Sequence, residues 1–170
     1  SVDKELLFTP IINYGGGVDA SQRFIFDYNQ IISGGNFKTD LTFDSNFEAS
    51  NNNKWLSDAS LITSYSKNIN PNYRISINSA LETSKNYIQI TKPNDELSYT
   101  SSLVSDVNLE GFNINKIDDY LKVNTKFYQT NQENVDNKTI PIVLPNITYF
   151  TGSKNNYGLI TNNTYEIYNI

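Results

Sequence analysis

The sequence predicts an α+β fold in which short N-terminal helices pack on an antiparallel β-sheet, with an additional β-rich region towards the C terminus. Three observations lead there. The stretch "GGGVDASQRFIFDYNQIISGG", Gly15 to Gly35, sets apolar residues at helical spacing between glycines. From Phe37 onward the apolar residues recur with a period of two, the repeat of a half-buried strand. A length of 170 residues is about one domain's worth and hides roughly 70% of the unfolded surface. A single globular domain, 1–170, is therefore expected, with a helical segment over 1–34 and a β-rich head over 35–170.

Taken in order, "SVDKELLFTPIINY" brings Leu6, Leu7, Ile11 and Ile12 near helical spacing, interrupted by Pro10 and ended by Gly15, Gly16 and Gly17. In the next segment Asp19 and Gln22 have the Asx-x-x-Gln form of a capping box, and Ser33-Gly34 is a C-terminal stop. Between them Phe24, Ile25, Tyr28, Ile31 and Ile32 share one face of a 3.6-residue period, with Gln22, Asp27, Asn29 and Gln30 elsewhere on the wheel. Phe37, Thr39, Leu41 and Phe43 then alternate with Lys38, Asp40, Thr42 and Asp44. Further strands are expected at "YRISI" and at "YIQI", the latter with Ile88 and Ile90 inward. "EGFNI" and "YLKVNTKFYQT" read as a hairpin across "NKIDD". Thr130–Thr139 is an aperiodic exposed loop, followed by short strands at "IPIVL", "ITYF", "YGLI" and "TYEIYNI", where Pro141 and Pro145 point to edges or turns.

Composition narrows the function. The net charge is −5, with the acids dispersed and no cluster of Lys and Arg, so neither nucleic acid nor an anionic membrane surface is an expected partner. The chain has no Cys and no His, which removes disulfides, thiol chemistry, the commonest general base and the commonest transition-metal ligands. No apolar run reaches the ~20 residues of a membrane helix. The abundant Asn suits exposed turns.

The remaining chemical candidates each have a plainer reading. The Gly15–Gly17 amides could receive an anion at a helix start, but the sequence lacks the GKS/T ending of a phosphate loop and reads as a joint. Asp118-Asp119, and Glu82 with Asp95 or Glu96, could form carboxylate pairs of the glycosidase kind, or supply Asp118 and Asp119 to calcium without EF-hand spacing; they read as solvated turn charges. Trp55, the only tryptophan, could stack on a sugar but reads as a half-buried anchor. Asn137, Asn146 and Asn162 begin N-x-S/T sequons of the kind an Asn-rich chain produces by chance. No catalytic residue, cofactor or metal site is assigned, and the protein is expected not to be an enzyme.

Two segments, "SQRFIFDYNQII" (Ser21 to Ile32) and "LVSDVNLEGFNINKIDDYLKVNTKFYQT" (Leu103 to Thr130), resemble the helix and later sheet of a type IV pilin or type II secretion pseudopilin of the minor-pilin class. The resemblance implies a helix laid across an antiparallel sheet in a non-enzymatic subunit of an extracellular pilus, anchored in the membrane before assembly. It also implies other pilins as partners through an apolar helix before Ser1, a host surface or glycan as a further partner, and no membrane contact by this part of the chain. The alternative from another class is a secreted β-rich binding module, a carbohydrate-binding or adhesin domain.

Overall fold

The computed structural model describes residues 3–13, 21–46, 56–115, 118–132, 134–140, 142–154 and 160–168. They form one antiparallel sheet of nine strands in sequence order. These are β1 (Lys4–Asn13), β2 (Ser21–Ile32), β3 (Gly35–Asn46), β4 (Leu56–Asn70), β5 (Tyr73–Glu82), β6 (Ser102–Phe112), β7 (Tyr120–Thr130), β8 (Val143–Lys154) and β9 (Ile160–Ile167). One short helix, α1 (Tyr87–Thr91), and two 3₁₀ turns, Glu96–Tyr99 and Asn137–Thr139, lie in the connections.

The expectation of an α+β fold is thus corrected: the fold is all-β, and both N-terminal segments read as helices are strands. The stretch 21–32 carries two periods at once. Its helical stripe of Phe24, Ile25, Tyr28, Ile31 and Ile32 coexists with the alternation Phe24, Phe26, Tyr28 against Arg23, Ile25, Asp27. Two neighbouring strands decide between them, because β1 pairs with β2 from Lys4↔Gln30 to Asn13↔Ser21, and β3 pairs from Ser21↔Asn46 to Ile32↔Gly35. Aromatic and β-branched residues favour such a pleated surface. Ser33-Gly34, read as a helix stop, is a hairpin turn, with Gly34 at φ 78° supplying the conformation that other residues resist. Asp19, the expected cap, lies outside the described residues, as do Gly15–Gly17, Trp55 and Pro141.

The opposite error occurs at "YIQI". There Tyr87–Thr91 is α1, with Ile88 fully buried and Ile90 68% exposed, so the two isoleucines do not share a face. A β6–β7 hairpin, the period-two strand β3 and the loop after Thr130 are as expected, but the expected first strand "EGFNI" meets β6 only at Glu110–Phe112, and the connection is longer, 113–119.

The connections sort by end. Among the fully described connections, Ser33-Gly34 and Pro71-Asn72 lie at one end of the sheet, whereas 83–101 lies at the other. Buried hydrophobic side chains are few: Ala80, Ile88 and Leu103 cluster with Ile62 and Leu97 where the 83–101 connection folds back on the sheet. The chain exposes 11847 Å², against about 8,500 Å² for a compact monomer of its mass.

At Gly35 the β3–β4 ladder runs so close that an added Cβ would overlap the Ser66 carbonyl and the Lys67 backbone. Gly35→Ala is expected to force the strands apart and lower the melting temperature by about 5 °C, read by circular dichroism. An unchanged melt would contradict the pairing at this point.

Candidate functional site

The grooves among the described residues are open to the surface, and the two faces of the sheet are the features that differ chemically. Cross-strand partners share a face, so the register assigns every strand residue. The row Phe8, Phe26, Leu41, Leu61, Leu81 runs unbroken over five strands, and the row Tyr73, Gly111, Leu121, Tyr149, Tyr165 over another five. Between them lies a third row, Ile75, Leu109, Val123, Ile147, Ile167. This face is apolar from β1 to β9. The rings of Phe8, Phe24, Phe26 and Phe43 stack on one another towards the end with the long connection. Tyr28, Tyr65 and Tyr73 stand towards the short-connection end, with Tyr149 packed on Tyr165 at 6.4 Å beside them.

Among the described residues most of this face is uncovered, the exception being Leu103, which the register places on it and which is fully buried in the cluster with Ile88. Leu6 is 67% exposed, Phe8 47% and Phe127 44%. Several of its polar side chains are hydrogen-bonded within the sheet: Thr39 Oγ1 to Thr63 Oγ1 at 2.8 Å, Ser79 Oγ to Ser105 Oγ at 3.2 Å, and Thr125 Oγ1 donating to the Val143 carbonyl at 2.9 Å. Gln22, Gln129, Thr151 and Asn163 also lie on it. Tyr28 donates to Gln30 Oε1 at 2.8 Å. Charged strand residues on this face, among those described, are Lys4 and Lys67, both at the short-connection end.

The other face is more polar, although Leu7, Ile11 and Ile31 stand exposed on it at β1 and β2, and it is shielded where the 83–101 connection lies on it. Arg23 of β2 makes a bidentate pair with Asp44 of β3, at 2.8 and 2.9 Å. The 83–101 connection folds onto it. Glu82, buried at the end of β5, accepts the Asn86 and Ile88 amides at 3.0 Å and so starts α1. Lys92 at the end of that turn pairs with Asp40 of β3, and the Arg23 guanidinium lies 5.9 Å from the Tyr87 ring centre. Burial, reinforced by Asp44, holds the Tyr87 phenol well above its ordinary pKa. Asp27 stands opposite Asp40 in the β2–β3 ladder; burial, and then the Asp40 carboxylate, raise its pKa.

The carboxylates singled out from the sequence have structural employment. Asp118 takes up φ 77° in the β6–β7 turn, its N–H donating to Asn113 Oδ1. Asp119 is buried and accepts from the Tyr149 hydroxyl at 3.0 Å and the Thr151 hydroxyl at 2.6 Å. Asp95 accepts from the Leu97 amide as a 3₁₀ cap, and Glu96 is exposed. None of these forms a facing pair across a cleft, and among the described residues no group of three or more acidic side chains is placed to hold a metal. Of the sequon asparagines, Asn137 accepts from the Thr130 amide, Asn146 is half-buried and Asn162 is exposed in β9. The sequence predicts strands with one polar face, but places helices on the sheet and so misses that its apolar face is left largely uncovered.

A raised carboxyl pKa makes the folded state hold its proton more tightly than the unfolded chain. Stability from Asp27 is thus fully present below the unfolded value and is lost as pH rises through the folded one. Asp27→Asn is expected to leave the melting temperature unchanged near about pH 3 and raise it at about pH 8. An equal shift at both pH values would contradict the pairing. Asp119→Ala, which strands two hydroxyl donors, is expected to cost about 2 kcal/mol in chemical denaturation.

The chain matches no protein-family model, no curated protein and no solved structure.

Proposed function

We propose that this chain forms wall of a membrane β-barrel, its apolar face against lipid hydrocarbon and its polar face lining an aqueous interior, in a non-catalytic role. The observation that carries the reading is a face poor in charge: its charged described strand residues are Lys4 and Lys67 at one end, and the Asp119 carboxylate just before β7 is buried and taken up by Tyr149 and Thr151. In water such a face would far exceed the few hundred Å² of apolar patch that soluble monomers tolerate. Long Lys side chains near one end can reach an interface.

Other features agree. Strands of 10 to 15 residues from β1 to β7 are long enough to cross a hydrocarbon layer at a tilt. Short connections at one end and a long one at the other, lipid-side aromatics near the boundary, and an alternation of apolar with polar residues are the pattern of such walls. Tyrosines suit that boundary because their rings are apolar and their tips polar. In a bilayer the outer edges of β1 and β9 have to be paired by further strands, of this chain or another copy.

A pilus subunit is the less supported reading. It needs a helical spine over Asp19–Ile32, and from Ser21 that stretch is β2. The binding-module alternative keeps its force for the polar face only.

Single-tryptophan variants in a Trp55→Phe background test the proposal. Phe43→Trp reports from the apolar face and Tyr128→Trp from the polar one. In vesicles of phosphatidylcholine brominated on its acyl chains, the first is expected to be strongly quenched and the second to remain bright. Quenching of neither, with both open to aqueous iodide, would exclude lipid contact.

A further inference from the structure

The polar face is divided. The 83–101 connection covers the β2–β5 side, through Lys92 on Asp40 and Tyr87 under Arg23, while β5 to β7 leave an open groove of about 240 Å³. Its lining is Ser76 of β5, Asp106, Asn108 and Glu110 of β6, and Lys122, Asn124 and Lys126 of β7. We propose that this groove is a binding track for neutral oligosaccharide.

The register arranges the groove as a comb. Asp106 faces Lys126, Asn108 faces Asn124 and Glu110 faces Lys122, so each row sets an acceptor-bearing side chain of β6 beside a donor of β7. The acids are held by neutral groups. Asp106 accepts from the Asn78 amide at 2.9 Å and from Asn108; Asn108 accepts in turn from Asn124 at 2.5 Å; Glu110 accepts from the Tyr120 hydroxyl at 2.8 Å. The ion pairs among the described residues are Arg23–Asp44 and Lys92–Asp40, so Lys122 and Lys126 keep their ammonium donors for a ligand.

The ligand class follows from that comb. Two carboxylates and two ammoniums lining one groove nearly cancel, which leaves little net field to collect an ion of either sign; Arg74, opposite Glu110 on β5, lies outside the lining. Paired acceptors and donors one strand apart match vicinal hydroxyls, each of which donates and accepts. The next row adds a surface for the other side of a sugar. Phe112, 39% exposed, packs on Tyr120 with ring centres 5.4 Å apart, and such rings stack on apolar C–H faces. From Asp106 to Phe112 the track runs about 20 Å along β6, which suits a short chain of hexose rings. The inference needs only the polar face and stands whatever covers the other.

The test is calorimetric titration of the full chain, folded in detergent micelles, with maltotriose and with cellotriose. Saturable binding by at least one is expected at concentrations up to about 50 mM. Lys122→Met, Asn108→Leu and Phe112→Ala should each weaken it about fivefold or more, while Ser64→Ala, on the polar face beyond the groove, leaves it unchanged. If a variant fails to fold, the conservative Asn124→Ser reads the same comb. No saturable heat with either sugar, or binding indifferent to the groove variants, overturns the proposal. So does tighter binding of gluconate or spermidine, which would make the groove an ion site. None of these outcomes bears on lipid contact, which the quenching experiment reads separately.

Discussion

A sheet one layer thick cannot remove its own apolar side chains from water, and the rest of this molecule is arranged around that constraint. In a sandwich or an α+β domain a second layer supplies the cover. Here the described elements leave most of the apolar face open, and the one connection that folds back, 83–101, lies mainly on the polar side. What is most enclosed is therefore an unusual selection. Thr42, Ser60 and Glu82 are among the most buried residues of the strands, while leucines and phenylalanines stand open. The inversion becomes consistent once the surrounding medium, and not a protein layer, is what satisfies the apolar side.

The polar face shows how such a sheet supports its charges. Arg23 and Asp44 are cross-strand partners in bidentate geometry, a form of ion pair that gains more than a solvent-exposed one because both groups are partly shielded. Lys92 brings a positive charge from outside the sheet to the place where Asp27 and Asp40 would otherwise oppose each other. Glu82 is desolvated yet bonded at both oxygens to backbone amides. Gln129 holds the same residue from β7, donating to its carbonyl and accepting from its amide. The connection is thus tied to β3 through Lys92 and to β5 through Glu82, while Gln129 ties the end of β5 to β7.

Part of the sheet was legible in the sequence because period two needs no partner to be recognised: β3 and β7 announce themselves residue by residue, and β5 and β6 through "YRISI" and the first residues of "EGFNI". The segment 21–32 was not, since Phe24, Tyr28, Ile31 and Ile32 satisfy a helical stripe as well as Phe24, Phe26 and Tyr28 satisfy a strand. Only the flanking ladders resolve the tie. The short run at 87–91 failed for a similar reason, since two isoleucines two apart describe a strand until one is buried and the other exposed. The candidate site was beyond local reading altogether. Whether Lys122 meets Glu110, and whether the faces of β1 and β9 agree, depends on registers set across the whole sheet.

The strand order β1 to β9 without a crossover has a kinetic meaning. Every ladder joins strands consecutive in the chain, so no pairing waits for a distant segment to arrive, and loop closure is costly only at 83–101. Such local topology favours rapid assembly compared with sheets of interleaved order. Each finished hairpin presents a straight edge to the strand that follows it, and the sheet can be built by successive addition, its register passed on from one neighbour to the next.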